Sequence, residues 1–425
     1  MKVGIIRSLS LVAMIALALV PAFATLAALV FLLAGTAVIV LSLNRSLTAI
    51  SSTAVTLIPV YCIASVLWSD YPAVSARLGI FLALTIAIAV SIGSHLSIQT
   101  IARFTFWSHL VPIVLSFAIG NISSSGPWTG IFASKNMFAI YGLMLLLSGI
   151  YVLGIYRSIY MRLIVYASML VSIAVLIGAQ SVGTLVSAFT TLTAYVTFMV
   201  LKKYEMSTRI SLLLMAVLAS LVGIVLNQLV GELLVQLIVS TGKDPTLTGR
   251  TDLWGKAVEY IGQNPVFGLG FRAFWVQGNP AAEELWRQFY IESRSGFHFH
   301  NTYLSNAVEI GLLGMALQLY VLWSISFRVL RLAFVNPQPT LAWAAAFVFF
   351  VLTRSLVEVD VFSEFSAVTF ILVCVASSLE ASTRQRRTVE ENQFAMITDP
   401  ADRFGGVVAH AGHAGNVSVG LGVRK

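Results

Sequence analysis

Long apolar runs separated by short polar connections cover most of the chain, and each approaches the roughly 20 residues a helix needs to cross a hydrocarbon core. They fall near 5–20, 24–43, 47–67, 78–95, 104–120, 136–154, 163–179, 182–201, 210–228, 301–327, 340–357 and 364–380. None shows the two-residue alternation of a membrane barrel, so the backbone has to satisfy itself within helices. The pattern predicts an all-α fold, a polytopic integral membrane bundle of about twelve transmembrane helices. Residues 1–228 would hold nine spans, 229–300 one large loop, 301–380 three more spans, and 381–425 a disordered cytoplasmic tail. No repeat at a fixed period is apparent.

The loop is the one long polar interruption, from Gly231 to Phe299. Thr251 to Gly262 predicts an amphipathic helix with Leu253, Trp254, Ala257, Val258 and Ile261 on one face. Asn264-Pro265 and Gly268-Leu269-Gly270 predict a turn. Ala281 to Glu292 predicts a second amphipathic helix carrying Leu285, Trp286, Phe289 and Tyr290. Because Trp and Tyr favour the headgroup level, both helices are expected to lie on the membrane.

Composition agrees with the runs. The chain is 58% apolar and 10% charged, against about 25% charged in a soluble domain. Its net charge of +8 is dispersed between apolar runs, which argues against a nucleic-acid partner and for topology signals. Arg45, Arg103, Arg157, Arg162, Lys202, Lys203, Arg209, Arg328 and Arg331 fall in one set of connections, with Arg384, Arg386 and Arg387 in the tail. The other set holds only Arg77, Lys135 and Arg354. The positive-inside rule then puts both termini in the cytoplasm and the loop outside, in the periplasm of a Gram-negative cell. Cys62 and Cys374 lie inside predicted spans and imply no disulfide or metal framework. The N-terminal run, with Lys2, Arg7 and Ala22-Phe23-Ala24, imitates a secretory signal; the apolar sequence continuing to Leu43 favours two spans meeting at Pro21.

Candidate chemistry gathers where the loop ends. Imidazole titrates near neutrality, so His300 at a water–lipid boundary can take a proton at working pH; a capping role is the plainer alternative. His298, two residues earlier, would share its side of an extended chain, but no clustered carboxylate or Cys completes a ligand set, so no metal is expected. Arg250 opens the first loop helix. There a guanidinium adds to the positive end of the helix dipole and suits a pyrophosphate, unless it pairs with Asp252 or Glu259. Arg77, Lys135 and Arg354 sit at the outer ends of spans, where charges are costly unless paired or facing water; Glu309 and Glu358 are their expected acidic partners. Asn301 begins the next span, and Gly311 and Gly314 within it would let helices approach closely and fix the direction of His300.

These residues carry a resemblance. His300-Asn301, nine residues, Gly311, two residues, Gly314 is similar to the histidine signature of the O-antigen ligase family, a superfamily shared with exopolysaccharide polymerases. Thr248-Gly249-Arg250-Thr251 with Trp254, then Asn264-Pro265 and Gly268-Leu269-Gly270, resembles the start of that family's large periplasmic loop. Gly130-Ile131-Phe132 with Ser134-Lys135-Asn136, and Leu67-Trp68-Ser69-Asp70-Tyr71-Pro72 with Arg77, resemble two earlier segments, in family order. The likeness spans roughly residues 60 to 360.

The resemblance implies a metal-independent, cofactor-free inverting glycosyltransferase of the bacterial inner membrane. It would pass a glycan from undecaprenyl pyrophosphate to a glycan or lipid A-core hydroxyl, among membrane lipids and other polysaccharide assembly proteins. His300 would be the base and Arg250 would hold the pyrophosphate with Lys135, Arg77 and Arg354, supported by Asn301, His298, Glu309, Gly311 and Gly314. One departure stands out. Where ligases carry an arginine after a serine, this chain has Gln180-Ser181-Val182-Gly183, a form closer to the polymerases. Exopolysaccharide polymerase is therefore the favoured reading, O-antigen ligase the alternative, and a transporter or envelope scaffold the alternative of another class.

Overall fold

The structure is a computed structural model that describes residues 2–123, 126–216, 218 and 249–398. Fourteen α-helices follow one another among the described residues, with no strand: α1 Lys2–Leu41, α2 Leu43–Ser51, α3 Leu57–Ala64, α4 Pro72–His95, α5 Ile98–Ile119, α6 Lys135–Leu153 and α7 Ile159–Gly178. Next come α8 Val182–Leu201, α9 Met206–Ala216, α10 Arg250–Gln263, α11 Pro280–Gln288, α12 Thr302–Val335, α13 Pro339–Ser355 and α14 Ala367–Thr398. The protein is an all-α, multi-pass membrane protein.

Eight described helices are long and apolar enough to cross a membrane, or nine if Leu43–Ser51 and Ala54–Leu67, bent by 76°, form one span. The difference from the expected twelve has identifiable causes. The first two predicted spans are one 40-residue helix, broken at Ala24 (φ 39°, ψ −111°), three residues beyond Pro21. The span near 340–357 is α13, only 17 residues long. Of the span near 210–228, α9 is described and most of the rest lies outside the described residues.

The chain divides into two compact units, Met1–Ser378 and Leu379–Lys425. In the second, the helix expected to give way to a disordered tail continues through Thr398, helped by an Arg384–Glu380 pair one turn apart; residues 399–425 lie outside the described residues.

Within the first unit α6 packs between α5 and α7, and α13 packs against α8 and α12. The decisive irregularity is in α12. Gly311 has φ 68° and ψ 177°, a region essentially reserved for glycine, and the helix breaks there. Leu312 and Leu313 would ordinarily donate to Val308 and Glu309. They donate instead to the carbonyls of Pro265 (2.8 Å) and Val266 (3.3 Å). The Val308 and Glu309 carbonyls are answered by the amides of Leu269 (3.1 Å) and Gly270 (2.7 Å). The loop turn thus takes over both sides of the interrupted ladder, which backbone at membrane depth requires.

Gly311 is therefore not a helix–helix contact alone. A Cβ on it would lie 2.2 Å from the Val266 carbonyl oxygen, and one on Gly268 would lie 2.5 Å from the Gly311 nitrogen. Gly314 does serve close approach, since a Cβ there would meet the Tyr61 ring at 2.6 Å. On the far side of the turn, Trp68 Nε1 donates to the Phe267 carbonyl (2.9 Å), Asp70 N to that of Leu269 (3.3 Å), and Ser75 Oγ to that of Phe271 (2.9 Å). The Trp-Ser-Asp segment is a clasp for the turn. Gly311→Ala, forced into that φ and against backbone atoms, is expected to lower stability by at least about 3 kcal/mol. A melting temperature within error of the parent chain's would refute the fit.

The loop helices do not reserve their apolar faces for headgroups. Leu253 and Ala257 of α10 and Ala282, Leu285 and Trp286 of α11 are buried in one core with Phe274, Phe299 and Val308. Apolar side chains on two short neighbouring helices leave water most fully by packing on each other. Val258, placed on the same predicted face, is exposed, as is Tyr290.

Candidate active site

The site forms where α13 ends. The chain that leaves the helix presents backbone carbonyls that need donors, and here three side chains supply them in succession. Asn301 Nδ2 donates to the Leu356 carbonyl (3.1 Å), Arg250 Nη1 to Val357 (3.0 Å) and Thr302 Oγ1 to Glu358 (2.6 Å). Asn301 also caps α12, its Oδ1 accepting from the amides of Tyr303 (2.9 Å) and Leu304 (3.0 Å). Arg250 enters because Gly249, at φ 74°, turns the chain into α10. The loop helix and the start of α12 are thereby pinned to one stretch, 356–358.

Glu358, only 7% exposed at its side chain, is the hub. Its Oε1 accepts from Asn136 Nδ2 (3.0 Å) and faces Arg250 Nη2 (3.5 Å). Its Oε2 meets His300 Nδ1 (3.2 Å) and His298 Nε2 (3.4 Å). Asn136 is held in turn by Ser181 Oγ, which donates to its Oδ1 (2.9 Å). Lys135, beside it, donates to the Gln180 carbonyl (3.4 Å). The N-termini of α6, α8, α10 and α12 thus converge here, each contributing the positive end of a helix dipole.

The two histidines do turn to the same side, through His300 at φ 50° rather than along an extended strand. Holding a non-glycine residue in that region costs about 1 kcal/mol, a strain concentrated at His300. His298 Nδ1 accepts from the His300 amide (3.1 Å), which leaves its ring proton on Nε2, aimed at Glu358. His300 donates from Nδ1 to the same oxygen, and its Nε2 has no hydrogen bond among the described residues.

His298, His300 and Glu358 could hold a metal ion by distance, their ligand atoms lying within 4.8 Å of one another. The carboxylate judged missing from the sequence is thus present. The tautomer opposes coordination, however: His298 Nε2 is occupied by the proton it gives Glu358, and freeing it means surrendering the bond at Nδ1.

Burial would raise the Glu358 carboxyl, but the His300 hydrogen bond, Arg354 and the two imidazoles outweigh it and hold the group at about 2. Burial, then His300, pushes His298 down to about 3. For His298 the unfolded chain binds the extra proton between about 6.5 and 3, so its contribution to stability falls as pH falls through that window. The Glu358 contribution persists until pH drops below about 4.5. The melting temperature is therefore expected to fall between pH 7 and 5, and less steeply in His298→Gln. Parallel curves for the two proteins would count against a neutral, buried His298.

The sequence profile of the O-antigen ligase family matches residues 124–319, a range that contains Lys135, Asn136, Arg250, His298, His300, Gly311 and Gly314. The chain is also similar to the exopolysaccharide production protein ExoQ of Rhizobium meliloti (strain 1021), at 29% identity over 339 residues, covering 77% of each chain. Over residues 124–319 the chain is similar to the O-antigen ligase family.

The site brings together only some of the cations proposed from the sequence. Arg250 pairs with Glu358 and not with Asp252 or Glu259; Glu259 is taken by Lys256 at 2.9 Å. Lys135 stands against the 180–182 segment where ligases are expected to carry arginine, and Val182 itself is exposed. Arg354 is 1% exposed and bound to Asp360 (Nε–Oδ2 2.8 Å), so it is spent inside the protein and not offered to a substrate. Arg77 is exposed and forms no ion pair or hydrogen bond among the described residues.

Glu309 also departs from expectation. It accepts from the Arg272 amide (3.1 Å), and Arg272 is paired with Glu364 (3.2 Å), so it secures the turn below the site. Glu358 was foreseen as a partner for Arg77, Lys135 and Arg354; its bond to His300 was not. Asn136 was part of a quoted motif without a role of its own. The one signal that could have found it is its position beside Lys135 at the start of α6, where Ser134 caps the helix and accepts from Met137 N (3.2 Å).

Proposed function

We propose that the protein is an inverting glycosyltransferase that moves a glycan from an undecaprenyl-pyrophosphate carrier to an acceptor sugar hydroxyl. The site faces the periplasm from the inner membrane, with both chain termini in the cytoplasm, and the reaction polymerises exopolysaccharide repeats. The observation that carries this reading is the pairing of an oriented imidazole with an anchored guanidinium. His300 gives its Nδ1 proton to Glu358 and keeps Nε2 for a substrate proton, while Arg250 uses only part of its donor fork on Val357 and Glu358.

The reaction is a single displacement. The acceptor oxygen attacks the anomeric carbon as its proton passes to His300 Nε2. The bond from that carbon to the pyrophosphate oxygen breaks, and the pyrophosphate leaves with the electron pair. Inversion follows from one displacement. Pyrophosphate is already a good leaving group, so stabilising its charge is the main task; Arg250, Lys135 and four helix N-termini are positioned for it. The name of the Rhizobium meliloti relative supports exopolysaccharide as the product class. A second reading, transfer of O-antigen to lipid A-core, is favoured by the description of the matching family.

The test is turnover by the full chain in lipid nanodiscs, supplied with an undecaprenyl-pyrophosphate-linked repeat. Polymer and free carrier pyrophosphate are expected, at a rate unchanged by chelator. Loss of activity under chelation, restored by a divalent ion, would overturn the metal-free chemistry. In cells lacking the protein, short polymer with decorated lipid A-core supports polymerisation; bare core with normal polymer supports ligation.

A further inference from the structure

Glu358 is fully subscribed. A carboxylate has about four lone-pair sites, and here four donors from three places address them. Asn136 comes from α6, Arg250 from α10, and His298 and His300 from the segment leading into α12. The four are not equally held. Asn136 is fixed by Ser181, and Thr302 and Arg354 hold the Glu358 backbone, Glu358 N donating to the Arg354 carbonyl at 2.8 Å. The Arg250 contact is the loosest. At 3.5 Å it is well beyond the roughly 2.7–2.9 Å of a charge-assisted bond and is not bidentate, while the same guanidinium is anchored independently through Nη1 to the Val357 carbonyl at 3.0 Å.

We propose that Glu358 is a positioning residue whose charge is divided between Arg250 and His300 until a diphosphate arrives, and that the diphosphate then takes Arg250 and leaves the carboxylate to His300. This rests on the transferase reading above and gives it an order: the base gains its full partner only when the leaving group is in place. Guanidinium prefers a diphosphate with more charge and more oxygens in its fork geometry, and because Nη1 stays on Val357 the exchange needs a swing of one N–H edge, not a displaced side chain. Left as sole ionic partner of His300, the carboxylate fixes the Nδ1–H tautomer and stabilises the imidazolium formed when Nε2 takes the acceptor proton.

The other charged groups near the pair leave this exchange intact. Arg354 is bound to Asp360 and adds a fixed charge near Glu358 that the exchange does not change, Arg272 is paired with Glu364, Lys135 is turned to the Gln180 carbonyl, and burial keeps His298 neutral.

Glu358→Gln keeps the shape and the Asn136 bond and removes the charge. In the full chain in nanodiscs, its kcat is expected to fall about 10³-fold, with donor KM unchanged or lower because Arg250 is released. The acid limb of the pH–rate profile should move to lower pH, since imidazolium loses its counter-ion, and Glu358→Asp should recover part of the rate. Binding of undecaprenyl pyrophosphate alone, which needs no turnover, should be as tight in Glu358→Gln as in the parent chain or tighter.

A kcat within about threefold of the parent, weaker lipid pyrophosphate binding, or an acid limb that stays in place while kcat and KM worsen together would each overturn the proposal. Failure of the parent chain itself to consume donor sinks the transferase reading instead, and the binding comparison still decides the role of Glu358.

Discussion

His300→Asn is expected to lose transfer by about 10²–10⁴-fold in kcat, the range general-base catalysis supplies, with donor KM little changed. Asparagine is the sharper replacement than alanine. It tolerates the left-handed backbone that His300 occupies at φ 50° and can still donate toward Glu358, yet it cannot take a proton. A fall in kcat with an unaltered melting temperature therefore isolates proton transfer from folding. Activity within about threefold of the parent would remove His300 from the chemistry and leave it the capping histidine that the sequence also allowed. Steady-state rates at saturating donor, with the melting curve recorded on the same preparation, are the measurement.

Arg250 is expected to fail differently. Arg250→Ala should lower kcat/KM for the donor by about 10²–10³-fold, mostly through KM, because it strips one charge-assisted contact from a partly water-excluded site. Arg250→Lys should recover about tenfold at most, since an ammonium offers a point charge where the fork holds Val357 with one edge and presents the other, now facing Glu358, to a phosphate. The fold should survive both changes, for Glu358 retains Asn136 and His300 as partners. Direct binding of undecaprenyl pyrophosphate separates the two residues: it should weaken in the Arg250 variants and persist in His300→Asn. Equal binding by Arg250→Ala and the parent would take the guanidinium out of donor recognition.

The pattern of apolar runs was enough to read an all-α membrane bundle, because membrane solvation imposes a length and a polarity on each span. It could not show that the first two spans share one broken helix, since Pro21 announces a weakness but not where the backbone yields, which is at Ala24. Spacing likewise exposed His300 and Arg250 as chemically apt. What spacing cannot report is who sits opposite. Glu358 is 58 residues from His300 along the chain and is held beside it by the carbonyls of residues 356–358, just past α13, which Asn301, Arg250 and Thr302 claim. Arg354 misled for a related reason: charge at the end of a span reads the same whether it serves a substrate or is consumed by Asp360. Gly311 looked like a packing glycine because helix-breaking needs a second segment to supply hydrogen bonds, and that segment lies more than 40 residues upstream.

That exchange of hydrogen bonds has a practical corollary for engineering. Altered specificity could be sought by transplanting residues 250–300 of a relative onto this scaffold. Residues 265–270 and the glycine at 311 behave as two halves of one joint, so a graft with its boundaries at 250 and 300 severs the joint unless the incoming piece presents the same four backbone partners. Chimeras that carry both halves from one parent should be made and inserted normally; those that mix them should be degraded before any question of specificity arises.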